Sequence, residues 1–179
     1  MDKTRRLFIA INLPMELKRK LFGMQKEINS QFGEDYIKAG LFKWVEMENL
    51  HLTLKFIGEV GDSQIPKITE NIVNTIKNQK EFEIKTKQIC YDSEKQAPRL
   101  IWLVTERSKN LENLAKEFDV GKKFIGHITL ARVKEWIFKR IEPEERPNIM
   151  KSFEEIIPVK AIELMESVLK RTGPEYKII

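Results

Sequence analysis

Two tetrads, His51-Leu52-Thr53-Leu54 and His127-Ile128-Thr129-Leu130, repeat one pattern and hold both histidines of the chain. Each opens an apolar, branched stretch, so each is expected to start a strand. Strand side chains alternate between faces. His and Thr two positions apart therefore share a face, roughly 6.6 Å apart along the strand, while the leucines and Ile128 point to the other face and a core. An imidazole beside a hydroxyl, supplied twice, suits phosphoester chemistry. Histidine titrates near pH 6.5, so one ring can take a proton from an attacking water while the other gives one to a departing oxygen. The threonine hydroxyls can donate to non-bridging phosphate oxygens as charge builds on the pentacovalent centre. This scheme needs no metal. Two histidines with no Asp, Glu or Cys beside them on the same strand face are too few ligands for one. A single strand histidine is more often a hydrogen-bonded structural residue, but the duplication, with no histidine to spare, favours catalysis. Self-similarity also suggests two related lobes that bring both pairs together.

The elements that must position these groups follow from periodicity. Leu7–Ile11 reads as a buried strand closed by Asn12 and Pro14. Pro14–Phe32 carries Leu17, Leu21, Met24 and Ile28 at helical spacing, with Gly33 as its stop. Strands follow at Phe42–Val45 and His51–Ile57. A helix capped by Ser63 runs to about Gln79, with Ile65, Ile68, Ile72, Val73 and Ile76 on one side. Then come strand Phe82–Tyr91, strand Leu100–Thr105, helix Ser108–Phe118 and strand Gly126–Val133. Glu142–Ser152 is a weaker helix interrupted by Pro147. Val159–Leu169 alternates as a strand, and Tyr176–Ile179 is a last edge strand after Gly173-Pro174. Strands that follow one another directly favour α+β with mostly antiparallel sheet over a doubly wound fold. Glycine-rich dinucleotide and P-loop phosphate motifs are absent from the sequence. By alternation Phe56 shares the core face of Leu52 and Leu54. Trp44 and Trp102 sit in apolar strands and are also expected in the core, with stacking on a nucleobase as the alternative.

Composition bounds the setting. Lys and Arg number 32 against 27 Asp and Glu, a net charge of +5 that mildly favours a polyanionic partner. Hydrophobic residues at 41% exclude wholesale disorder, and no apolar run approaches the ~20 residues of a membrane span. One cysteine, Cys90, can form neither an internal disulfide nor a CxxC zinc site. With no signal-peptide pattern at the start, the expected location is the cytoplasm.

The paired motifs and their flanks resemble the 2H phosphoesterase superfamily, in its RNA 2′,3′-cyclic phosphodiesterase branch, also called 2′-5′ RNA ligases. The matching stretches are Arg6–Ile11, Lys43-Trp44-Val45, His51–Gly58, Pro98–Trp102, Gly126–Val133, Glu166–Leu169 and Gly173–Tyr176, in the family's order. The resemblance implies a single domain over residues 1–179. It would be bilobal α+β, with two mostly antiparallel sheets and flanking helices related by a pseudo-twofold, and an active-site cleft between the lobes. It implies hydrolysis of an RNA terminal 2′,3′-cyclic phosphate to a 2′-phosphomonoester, with ligation to a 2′-5′ linkage as the reverse reaction. His51 is then the proton donor and His127 the acceptor; Thr53 and Thr129 hold phosphate. No cofactor, membrane or obligate protein partner is implied, and a monomer suffices. Arg132, five residues after His127, matches an arginine that assists substrate phosphate. A regular strand would send it to the face opposite His127, unless a bulge or the strand end redirects it; the other reading is a surface salt bridge. Gly126 departs from the proline many bacterial members carry there, and the segment Asp119–Phe124 before it is short. The rival readings are a 2H enzyme for a small cyclic phosphate nucleotide and a noncatalytic RNA- or nucleotide-binding module.

Overall fold

The computed structural model describes residues 3–93, 97–120, 124–170 and 174–179. Gly173 and residues 121–123 of the short segment before the second motif lie outside them. The described residues form ten strands: β1 (Thr4–Asn12), β2 (Phe42–Trp44), β3 (His51–Gly61), β4 (Phe82–Tyr91), β5 (Leu100–Thr105), β6 (His127–Val133), β7 (Lys151–Ser152), β8 (Ile156–Val159), β9 (Glu163–Leu169) and β10 (Pro174–Ile178). The helices are α1 (Met15–Asn29), α2 (Glu34–Lys38), α3 (Ile65–Ile76), α4 (Lys109–Glu117) and α5 (Glu135–Phe138). Every strand pairing among these residues is antiparallel. The α+β class and the antiparallel pairing are as the sequence predicts, but the two expected sheets are joined into one ten-stranded sheet by the pairing of the two motif strands.

The strand order is β10-β9-β1-β3-β6-β5-β4-β7, with β2 also on β6 and β8 on β4. Its centre is palindromic. In one half β9-β1-β3 places the first motif innermost, with α1 between β1 and β3 in sequence. In the other half β4-β5-β6 places the second motif innermost, with α4 between β5 and β6. The two halves meet where Leu52 pairs with Ile128. Both residues are fully buried and belong to one hydrophobic core shared by the halves.

Local chemistry explains the helices. α1 buries Leu17, Leu21 and Ile28 at helical spacing and starts after Pro14, whose carbonyl accepts the Lys18 N–H at 3.0 Å. It ends at Asn29, and Gly33 instead precedes the short α2. α4 is capped by Ser108, whose hydroxyl accepts the Leu111 N–H at 3.3 Å.

Several expectations are corrected. Ser63 does not cap α3. It sits in a 3₁₀ turn, Asp62–Gln64, where the Gln64 side chain accepts the Gly61 N–H at 3.2 Å. Val73 is exposed rather than part of the buried side of α3. Glu142–Ser152 is not a helix. Two prolines, Pro143 and Pro147, remove amide donors and crowd the preceding turns, so the segment becomes a 3₁₀ turn (Pro143–Glu145) and strand β7. Val159–Leu169 is two strands in different halves. β8 lies on β4, the chain crosses at residues 160–162, and β9 lies on β1.

Candidate active site

Both motifs open their strands as expected, and alternation holds across each tetrad. His51, Thr53, His127 and Thr129 are half-buried, while Leu52, Leu54, Ile128 and Leu130 are buried. Continued one residue each way, the Leu52–Ile128 register sets His51 across from Thr129 and Thr53 across from His127. Neighbouring strands stand ~4.8 Å apart, so the four side chains rise from one patch at the junction of the halves.

The two rings are held alike. His51 Nδ1–H donates to the Asn49 carbonyl at 2.7 Å, and His127 Nδ1–H donates to the Ile125 carbonyl at 2.8 Å. A carbonyl only accepts, so Nδ1 keeps its proton in either charge state and Nε2 is left to exchange one. In the first motif the Thr53 hydroxyl and His51 Nε2 hydrogen-bond at 2.9 Å, the hydroxyl donating when the ring is neutral. Burial lowers the pKa of His51 below the ordinary histidine value. The Asn49 carbonyl opposes this, and the charges of Lys18 and His127 lower it further.

Aromatic rings pack behind both histidines. Phe8 and Tyr176 lie 5.0 and 5.1 Å from the His51 ring, Tyr176 edge-on. Trp102 stacks on His127 at 4.2 Å. The expectation that Trp102 is simply core is corrected. It pairs with Thr129 across β5·β6 and so stands on the histidine face, half-buried, its enclosed indole N–H without an acceptor among the described residues. Trp44 is half-buried against the core and donates through Nε1 to Asn29 at 3.0 Å.

Both motif strands carry a bulge at the same place. On β3, Thr53 pairs with Ala10 and Lys55 with Ile9, leaving Leu54 extra. On β6, Thr129 pairs with Trp102 and Ala131 with Ile101, leaving Leu130 extra. A bulge sets two residues against one and shifts alternation by one position. The residue five after each histidine thereby returns to the histidine's face. Arg132 is therefore on the face of His127 and exposed, and no ion pair involves it among the described residues. It is also close enough to Tyr176 that its charge, with that of Arg6, lowers the phenol pKa against a larger rise from burial. The same shift overturns the core placement of Phe56. It pairs with Phe8, 6.1 Å between rings, and is 73% exposed on the histidine face. A second bulge follows at Ile57, next to Gly58 with φ +98°, a conformation that favours glycine.

The β6 bulge is braced by α1. Gln25 is 3% exposed, and its amide donates to Val45 O at 2.9 Å and to Leu130 O, the bulge carbonyl, at 3.0 Å. Lys18, Gln25, Phe8 and Tyr176 escaped the sequence reading. The two polar residues sit on the apolar side of α1, where helical periodicity treats them as exceptions. Among the described residues, no three of His, Cys, Asp and Glu gather as metal ligands would.

A model of the family described as LigT-like phosphoesterase matches residues 11–102, and the chain belongs to this family, within the 2H phosphoesterases. Individual relatives are similar over almost the full length. An RNA 2′,3′-cyclic phosphodiesterase of Thermotoga maritima is 32% identical over 188 residues, 97% of this chain and 92% of its own. Another so named, from Archaeoglobus fulgidus, is 30% identical over 185 residues, 96% of each chain. Among solved structures, one from Thermus thermophilus superposes with a TM-score of 0.76 at 25% identity, covering 97% of this chain and 94% of that one. Escherichia coli LigT in complex with phosphate superposes at 0.74 with 22% identity over 99% and 95%, a likeness of fold.

Proposed function

We propose that this protein opens the 2′,3′-cyclic phosphate at an RNA end, leaving a 2′-phosphomonoester. The observation that carries this reading is the matched pair of histidines. Each is tied through Nδ1 to the carbonyl two residues before it, and each offers Nε2 to one patch. The relatives named for this reaction support the substrate class. In this reading His127 Nε2 takes a proton from water as its oxygen bonds to phosphorus. The P–O3′ bond breaks, and His51 Nε2–H protonates the departing O3′. Thr53 and Thr129 donate to the non-bridging oxygens, and Arg132 adds a cation on the same face. A 5′-hydroxyl in place of water would give a 2′-5′ linkage with no nucleotide cofactor, because the cyclic phosphate is already activated. Residues 1–179 act as one domain of two lobes, each lobe giving half the site. A monomer in the cytoplasm, with no metal and no membrane, satisfies the scheme. No helix among the described residues is long and apolar enough to cross a membrane.

The test is turnover of an oligonucleotide ending in 2′,3′-cyclic phosphate, with and without EDTA, the product's phosphate located by 31P NMR. A 2′-phosphate formed at the same rate in EDTA is expected. His51→Ala and His127→Ala should each lose ~10²–10⁴-fold, and the double variant should be little worse, since the pair acts as a unit. A 3′-phosphate product, or near-normal turnover in either folded variant, overturns the reading. Turnover of cyclic mononucleotides alone would favour a small-molecule enzyme, and binding without turnover a noncatalytic module.

A further inference from the structure

Lysine is rarely enclosed, because its ammonium gives up hydration. Lys18 is nonetheless only 5% exposed. Its Nζ donates to the Glu48 carbonyl at 2.7 Å. The next carbonyl along, that of Asn49, accepts His51 Nδ1–H at 2.7 Å. Two consecutive carbonyls of one 3₁₀ turn, Met47–Asn49, thus carry the ammonium and the imidazole. The Asn49 side chain ties the same turn to β10, donating to Pro174 O at 2.9 Å. The second motif secures its approach differently, by close packing of Gly126 on Thr105 and Leu111.

We propose that Lys18 is a positioning residue for His51: its enclosed ammonium fixes the turn whose Asn49 carbonyl orients the ring, and sets a positive charge behind that ring. Only the kinetic consequence rests on the proposed role of His51 as proton donor. The groups facing His51 are Lys18 from α1, His127 from β6 and Tyr176 from β10, with Phe8 from β1 packed on its ring. Glu163 of β9 and Glu48 act on Lys18, opposing the loss of its proton that burial favours. Glu163 Oε2 is buried with no hydrogen-bond partner among the described residues. The Lys18 ammonium, so enclosed, is little screened by salt. It loosens the Nε2 proton of His51, which favours its transfer to a departing oxygen.

With two histidines in the chain, the C2–H signals can be followed by NMR without substrate, and His127→Ala tells them apart. Lys18→Met removes donor and charge together. Lys18→Gln keeps an amide donor for the Glu48 carbonyl and drops the charge. In both variants the His51 midpoint should move to higher pH. The alkaline limb of the pH–rate profile should move the same way. In Lys18→Met, kcat should fall about 10-fold with KM nearly constant, because the ring loses its alignment. Circular dichroism checks the fold. Should the single variants not fold, Lys18→Met/Glu163→Gln, which removes both buried charges, is compared with Glu163→Gln alone. An unmoved His51 midpoint in a folded variant overturns the proposal. A moved midpoint with an unmoved pH–rate profile upholds the coupling and overturns instead the donor role of His51.

Discussion

At the residue scale, the proposed mechanism divides the labour of the two motifs between groups that titrate and groups that do not. Thr53 and Thr129 have no ionisation in the working range, so the contribution proposed for them is one donated hydrogen bond each. Thr→Val keeps the shape and removes the donor. Each replacement should cost ~1.5–3 kcal/mol, roughly 10- to 150-fold in kcat/KM, with the pH optimum unmoved. If the threonine variants shift the pH profile, the hydroxyls are orienting the histidines instead, as the Thr53 contact to His51 would allow. His51 also makes a stability prediction. Burial first, then Lys18 and His127, lower its pKa from the ordinary histidine value of 6.5. The unfolded chain therefore takes up this proton before the folded chain does. The contribution is complete above the unfolded value and is lost as pH falls through the folded one. Thermal unfolding from about pH 7.5 down to 5 should show a smaller loss of Tm in His51→Gln than in the native chain. Equal losses would mean that the ring titrates alike in both states.

At the scale of elements, the strand ends and bulges aim the side chains. Gly126 precedes His127, and a Cβ there would fall on the Thr105 hydroxyl and within 2.7 Å of Leu111 Cδ2. The absence of a side chain at Gly126 therefore lets the second motif lie against β5 and α4. Thr105 N–H donates to the Gly126 carbonyl at 2.9 Å, so displacing this residue pulls on the strand that carries His127. Gly126→Ala should destabilise the fold by ~1–3 kcal/mol, the usual cost of overpacking. It should also lower kcat more than it raises KM. Thr105→Ala removes the obstructing hydroxyl, so the double variant should recover part of both losses. An additive double variant in unfolding and kinetics would show that the two sites do not meet.

At the scale of the whole molecule, the palindromic strand order makes one site from two halves and leaves basic residues around it. Arg6, Phe56 and Arg132 lie on the histidine face, and Lys43 pairs with Arg132 across β2·β6. Like charges directly opposite on neighbouring strands repel, and a polyanion would relieve them. An RNA substrate that spans several of these cations should release counterions on binding. Its kcat/KM should fall steeply with salt, with log–log slope near roughly −0.7 per phosphate contacted. A cyclic mononucleotide should show a shallow slope. Parallel slopes for the two substrates would show that only the terminal nucleotide is bound.

The proposed chemistry was legible in the sequence because it rests on residue type and on a spacing of two. His51 with Thr53, and His127 with Thr129, share a face in any regular strand. The apolar partners at Leu52, Leu54, Ile128 and Leu130 needed only alternation to be assigned to the core. The antiparallel α+β class followed from strands that succeed one another without helices between them. Alternation failed beyond the fourth residue of each motif, and Phe56 was misplaced for that reason. A bulge belongs to two strands in register, so neither strand alone reveals that Leu54 or Leu130 is extra. That register turned Phe56 outward and brought Arg132 to the histidine face. Tertiary structure likewise decided that Lys18 and Gln25, polar exceptions on an amphipathic helix, each meet a backbone carbonyl beneath the site. A buried polar group must find its partner wherever the fold supplies one, and those carbonyls come from turns and strands distant in sequence.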